Sequence, residues 1–379
     1  MAMDRLFQLM KEKNASDMFF AVNSPVHIKI NGNLIPINQH RLEPENILSL
    51  LSEIATREQM AELDRDNELN MGISVPNLGR FRLSAFRQRG TISAVFRFVP
   101  ANIPALSDLG LPSVLADLIM EKRGLLLLVG ATGSGKSTTI ASMLDHRNEL
   151  RAGHILTLED PIEYLFKNKK SIVNQREIGS DAASFSTALR NSMRQAPDCI
   201  LIGEIRDKET MAAALAYAQS GHLVLATLHA NNSYNALNRI ISFYPIENRA
   251  ALLQDLSSAV RAIVSQRLVR SAAGGTRQAA VEIMVNTRYV ADLIEKGEIG
   301  QIKEAMEKSL SPGSQSFEEA LLRLVKDGLI SQEEALANAD SATNLLWLLN
   351  NASDSEQQDA APKSDEPPVA TFTEFTLNT

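Results

Sequence analysis

At about 100 to 200 residues per domain, a chain of 379 residues is long enough for two or three domains, so a peptide hormone or a disulfide-stapled scaffold is excluded. Its 45 Asp and Glu against 38 Lys and Arg give a net charge of −7, of which the last 29 residues carry −5, so the body carries only −2. With 5% aromatic residues and no basic excess, the composition argues against a nucleic-acid partner. One cysteine, Cys199, rules out an intrachain disulfide and a tetracysteine zinc site. The start, MAMDRLFQLMKEKN, mixes Asp4, Arg5 and Lys11 with its apolar residues and is not built as a signal peptide, so a reducing, cytoplasmic setting is expected. The longest apolar runs, LLLLV and AAALAYA, fall far short of the roughly 18 residues of a spanning helix, and any membrane contact is expected to be peripheral.

In chain order, Val22 to Ile37 alternates apolar and polar residues around Asn31-Gly32, which predicts a hairpin. Pro44 to Glu62 has helical spacing at Ile47, Leu50, Leu51, Ile54 and Met60, with Pro44 suited to a first turn. Arg80 to Val99 predicts a second strand pair with Arg89-Gly90 at its turn. Residues 1–98 thus read as a small α+β domain. Pro100, Pro104 and Pro112 oppose regular pairing and mark a linker over 99–112.

From Ser113 the pattern changes. Short apolar runs, GLLLLVG, HILTLED, DCILIGE and HLVLATLHA, alternate with helices expected near Lys136, Ala182, Lys208 and Asn235. Such runs predict an α/β domain over 113–350, with a mostly parallel sheet covered on both faces. After the polar break SAAGGTR comes one more strand, AAVEIMV, and then charged helices. The acidic tail, 351–379, is expected to be disordered.

The first of those strands runs into Gly130-Ala131-Thr132-Gly133-Ser134-Gly135-Lys136-Ser137-Thr138, a G-x-x-x-x-G-K-[ST] loop between a strand and a helix. Its glycines let backbone amides turn onto phosphate oxygens, Lys136 reaches the β and γ phosphates, and Ser137 offers a hydroxyl to Mg²⁺. ATP and Mg²⁺ are therefore the expected ligands. The strand at Cys199 ends in Glu204, placed to orient water or hold the hydration shell of the metal. Glu159, Asp160 and Glu163 follow another strand end around Pro161, and each is a candidate to align the attacking water. His222 and His229 flank the strand LVLATL. Arg190 and Arg194, spaced i and i+4, and Arg82 and Arg97 in the second hairpin are candidate γ-phosphate clamps, from the same or a neighbouring subunit.

The order phosphate loop, TLEDPIEY, ALRNSMRQAPDCILIGEIRD, SGHLVLATLHANN resembles the secretion ATPase superfamily, and within it the type IV pilus retraction ATPases of the PilT/PilU kind. The resemblance implies a PAS-like N-terminal domain, a RecA-like P-loop NTPase domain and a homohexameric ring that turns over ATP to withdraw pili, the basis of twitching motility. It implies that Lys136 and Ser137 hold ATP and Mg²⁺, that Glu163 activates water, that Glu204 is the Walker B glutamate, and that His222 and His229 sense phosphate or the interface. It places Arg82, Arg97, Arg190 and Arg194 where phosphate-facing arginines occur in related enzymes. The single cysteine excludes the tetracysteine module usual in extension motors. Where PilT-type motors carry AIRNLIRE, this chain has Tyr289 to Lys296 (YVADLIEK), with Ala291 and Glu295 replacing both arginines. The likeness is therefore closer to the PilU side. It implies work beside a PilT-type motor, on a platform protein at the inner face of the bacterial inner membrane, or an accessory subunit with little turnover of its own.

Overall fold

The structure, a computed structural model, describes residues 2–30, 32–76, 78–99, 102–308 and 313–359; Asn31 of the expected hairpin turn, Pro100 of the linker and residues 360–379 of the expected tail lie outside them. The first domain is an antiparallel sheet of β1 (Asp17–Phe20), β2 (His27–Ile30), β3 (Asn33–Pro36), β4 (Glu68–Val75), β5 (Gly79–Gln88) and β6 (Thr91–Val99), in the order β3-β2-β1-β6-β5-β4. Helices α1 (Ala2–Glu12), α2 (Pro44–Ser52) and α3 (Arg57–Asp66) complete it. The single helix expected over 44–62 is two. Thr56 caps the second by accepting the Gln59 amide, because a hydroxyl satisfies an otherwise unpaired first-turn N–H. The core, largely aliphatic, contains an aromatic cluster: Phe7 of α1 stacks on Phe81 with ring centres 4.2 Å apart, and Phe20 lies 5.1 Å from Phe96.

The second domain is built on β7 (Gly124–Val129), β8 (Gly153–Glu159), β9 (Ser171–Glu177), β10 (Cys199–Ile202), β11 (Leu223–Leu228), β12 (Val260–Arg270) and β13 (Arg277–Val285). Their order is β13-β12-β7-β11-β10-β8-β9, all parallel except β13, which pairs antiparallel with β12. This is a RecA-like α/β domain. Side-chain alternation explains the unbroken apolar run of β7: Leu125, Leu127 and Val129 enter one core, Leu126 and Leu128 the other, on the opposite face. Helices α4 (Val114–Ile119), α5 (Lys136–Leu150), α6 (Phe185–Ser192), α7 (Lys208–Gln219), α8 (Ser233–Ser242) and α9 (Arg249–Ala259) surround the sheet. After it come α10 (Arg288–Lys296), α11 (Ile302–Glu307), α12 (Phe317–Lys326), α13 (Gln332–Asn338) and α14 (Ala342–Asp359). Helix α14 therefore carries regular structure beyond Asn350, where only an irregular tail was expected.

The segment joining the domains is bound to α5. Ser142 Oγ donates to the Pro104 carbonyl at 2.7 Å, Arg147 Nη1 to the Ile119 and Glu121 carbonyls at 2.6 and 3.0 Å, and Arg151 Nη1 to the Met120 carbonyl at 3.0 Å. Arg147 is buried, and its head caps the carbonyl end of α4. Among the described residues no helix is long and apolar enough to cross a membrane.

Candidate functional site

Strands β7, β8, β10 and β11 run parallel, so the loops after their carboxyl ends share one edge of the sheet. The loop after β7 turns at Gly130, Gly133 and Gly135, with φ of +151°, +79° and +91°, and delivers the first turn of α5 to that edge. A Cβ on Gly130 would sit 2.6 Å from the Gln266 carbonyl and 2.5 Å from Ser134 Oγ, so only glycine fits. Gln266 of β12, buried, holds the loop from behind: its Oε1 accepts the Thr139 hydroxyl at 2.8 Å, and its Nε2 would lie 2.7 Å from a Cβ on Gly135. Lys136 Nζ donates to the Gly130 and Ala131 carbonyls at 2.8 and 2.9 Å. Burial draws its pKa down, and the Glu204 carboxylate works against that shift.

The loop borders a cleft of about 750 Å³ whose other walls include Glu159, Glu163, Glu204 and His229. Glu204 follows β10; its Oε2 accepts Arg206 Nε at 2.6 Å and its Oε1 lies 3.3 Å from His229 Nε2, at the end of β11. The three carboxylates after β8 have separate surroundings. Glu159 is buried, with Oε1 accepting the Thr157 hydroxyl at 2.6 Å and Gln175 Nε2 at 3.2 Å, and burial pushes its pKa up. Asp160, before a cis peptide to Pro161, faces Arg206 at 3.6 Å. Glu163 is half exposed and meets Arg82 Nη1 at 3.0 Å.

Of the other expected residues, Thr132, Ser137, Thr138 and Arg97 line the cleft, and Thr138 Oγ1 lies 2.8 Å from the Tyr164 hydroxyl. Arg97 Nε donates to Asp17 at 2.7 Å; Arg82 borders an adjoining cavity that Arg97 shares. His222 is not brought to the cleft. It precedes β11 at the opposite end from His229, where its Nδ1 lies 3.1 Å from Ser220 Oγ. Arg190 and Arg194 are exposed and do not border the cleft, and they do not share a regular helical face: α6 ends at Ser192, and Arg194 sits in a tighter turn that Ala196, at φ +48°, closes before Pro197. Sequence reasoning missed Gln266 and Arg206. A glutamine inside an apolar strand is a weak signal, whereas Arg206, two residues after Glu204, was open to the same reasoning as the other arginines.

Ser134 Oγ is buried and has no hydrogen-bond partner among the described residues, as suits a loop shaped around an anion. Among the described residues no group of three His, Cys, Asp or Glu could hold a metal alone. Magnesium would fit such a setting, because it keeps its waters and binds through phosphate with few protein ligands; Ser137 and Glu204, both lining the cleft, are the groups that would hold it. The arrangement can bind a polyphosphate end-on and set water against it.

A RecA-like sheet with this loop and these carboxylates defines the class. The chain belongs to the type II/IV secretion system protein family, which matches residues 2–334. The type IV pilus ATPase PilU of Pseudomonas aeruginosa is 44% identical over 356 residues, covering 94% of this chain and 93% of that one. PilT of the same organism, a type IV pilus retraction ATPase, is 38% identical over 344 residues, 91% of this chain and 100% of that one. Among solved structures, the pilus retraction motor PilT with bound ADP superposes at a TM-score of 0.83, with 38% identity, covering 89% and 96% of the two chains. The ATPase DotB of Legionella pneumophila gives 0.78 at 28% identity, covering 88% and 94%. The resemblance drawn from motif order holds, and of the two Pseudomonas proteins PilU is the more similar.

Proposed function

We propose that this chain is an ATP-hydrolysing motor subunit of a type IV pilus machine, which assembles as a homohexamer and drives pilus retraction and twitching motility beside a PilT-type motor. One observation carries the reading: Lys136, Glu163, Glu204 and His229 converge on one cleft in a chain whose relatives are PilU and PilT. Backbone amides of the loop and Lys136 would grip the β and γ phosphates of ATP. Mg²⁺, held by Ser137 and through water by Glu204, would neutralise charge on the leaving phosphates. Glu163, partly open to solvent, orients the attacking water and takes its proton, while Glu159 is occupied by its own hydrogen bonds. Glu204 and His229, 3.3 Å apart, respond together to the terminal phosphate. Arg82 and Arg97 approach from the N-terminal domain; His222, Arg190 and Arg194 lie outside this cleft and are left for contacts with a neighbouring subunit. The ring would work at the cytoplasmic face of the inner membrane, against a platform protein.

The second reading is an accessory subunit with little turnover of its own. It is favoured by α10, which presents exposed Glu295 where PilT-type motors have arginine. ATP hydrolysis by the purified chain, alone and mixed with a PilT-type motor, separates the two: turnover alone supports the motor, turnover only in the mixture the accessory. Lys136→Ala should abolish the chain's own contribution, and unchanged hydrolysis in that variant removes the proposed mechanism.

A further inference from the structure

Arg80 and Arg82 lie two residues apart on β5 and so project from the same face of the strand, toward the ATPase domain. Their partners differ in burial. Arg82 meets Glu163, which is half exposed, whereas Arg80 Nη2 meets Glu177 Oε2 at 2.9 Å with the two side chains only 13% and 3% exposed. The buried pair has a prepared seat. Gly72 of β4 lies beside it, and a Cβ there would fall 2.1 Å from Arg80 Nη2 and 2.8 Å from Glu177 Oε1.

Glu177 ends β9, and its Oε2 also accepts the backbone amide of Ile162 at 3.0 Å. A continuous path therefore runs from the N-terminal domain through Arg80 and Glu177 to the residue before Glu163. A buried carboxylate that loses its paired cation is left with an uncompensated charge, which strongly destabilises the arrangement around it. Arg80 Nη1 also donates to Ser74 Oγ at 3.4 Å and Glu177 Oε1 accepts the Ser180 hydroxyl at 3.4 Å, whereas Arg80 Nε is buried without a hydrogen-bond partner among the described residues.

We propose that Arg80 and Glu177 are positioning residues that make the placement of Glu163 depend on docking of the N-terminal domain of the same chain. With the domain docked, Glu177 fixes the Ile162 amide and thereby the loop that carries Glu163. With the domain displaced, Glu177 loses its cation and its hold on Ile162 weakens, leaving the Glu163 amide on Glu159 at 3.4 Å, while the phosphate loop is held separately by Gln266. The grip of the phosphate loop does not depend on this pair, so loss of Arg80 or Glu177 lowers turnover far more than nucleotide binding. The inference rests on Glu163 being the water-activating base.

The test uses the full chain with Mg²⁺ and compares Arg80→Met, Arg80→Lys, Glu177→Gln and Glu163→Gln. Three quantities are read: kcat, affinity for a non-hydrolysable ATP analogue, and amide hydrogen exchange over residues 160–165. Arg80→Met should lower kcat about tenfold or more, leave analogue affinity within roughly twofold and speed exchange over 160–165, with Arg80→Lys restoring much of the loss. Glu177→Gln keeps an acceptor for the Ile162 amide but loses the charge pairing, and it should give the same kcat loss should Arg80→Met fold poorly. Wild-type exchange and kcat in Arg80→Met and Glu177→Gln, with Glu163→Gln inactive, overturn the coupling and leave the base assignment standing. Wild-type turnover in Glu163→Gln overturns the base assignment instead, and exchange over 160–165 still decides whether Arg80 anchors that loop.

Discussion

Replacing Gly130 by alanine tests how the phosphate loop is held. The new Cβ would lie 2.6 Å from the Gln266 carbonyl oxygen and 2.5 Å from Ser134 Oγ, at a backbone φ of +151°. The carbonyl belongs to β12, locked between β7 and β13, so it cannot retreat and the loop must move. Backbone strain of this kind costs ~1–3 kcal/mol before any clash is counted. Gly133 is the internal control: its φ is +79°, but a Cβ there meets nothing within 4 Å, so Gly133→Ala should cost only about 1–2 kcal/mol of apo stability. The assay is thermal unfolding with and without Mg²⁺ and a non-hydrolysable ATP analogue. At a hundred times Kd a ligand adds about 2.7 kcal/mol, and a domain of this size gains roughly 2–4 °C per kcal/mol, so the wild type should rise by about 5–10 °C. Gly130→Ala should melt lower without ligand and rise by less than about 2 °C with it. A full ligand-induced rise in Gly130→Ala would refute the claim that this loop, in this shape, grips the phosphates.

Two further outcomes follow from burial. Cys199 is wholly buried in β10 and its thiol is pushed up to about 12, so a maleimide at pH 8 should label the chain only as it unfolds; stoichiometric labelling of folded protein within minutes contradicts the described core. Glu282 of β13 accepts the Ser233 amide at 2.7 Å and the Ser265 hydroxyl at 3.0 Å, yet burial still raises its pKa above the ordinary 4.5. A carboxyl with a raised folded pKa adds stability that is complete below the unfolded value and is lost as pH climbs through the folded one. In urea unfolding, Glu282→Gln should therefore gain on the wild type as pH rises above the ordinary carboxyl range; a gap that stays constant shows that Glu282 does not titrate with folding.

How much was legible in the sequence followed the type of signal. The apolar runs of β7, β8, β10 and β11 stood out because strands buried on both faces need no polar residue. Strands β9 and β12 did not, since Arg261, Ser265, Gln266 and Arg267 interrupt β12, and β9 at the sheet edge is half solvated. The place of the glycine-rich loop between β7 and α5 was readable because its signature is local. The ends of β11 illustrate the opposite limit: His222 and His229 look equivalent in sequence, but a strand separates its ends, and only His229 reaches the edge where the loops gather. Arg80 and Glu177, far apart in the chain, are joined only by the way the two domains meet, which no local pattern encodes.

The contacts of α5 with the segment from Pro104 to Glu121 set a mechanical limit. The helix that carries the phosphate loop also clasps this strap, so the strap travels with the ATPase domain, and in sequence only five peptide units separate Val99 from Pro104. At about 3.6 Å per residue those units can span at most roughly 18 Å. The covalent chain thus limits how far the N-terminal domain could move from the helix that carries the phosphate loop.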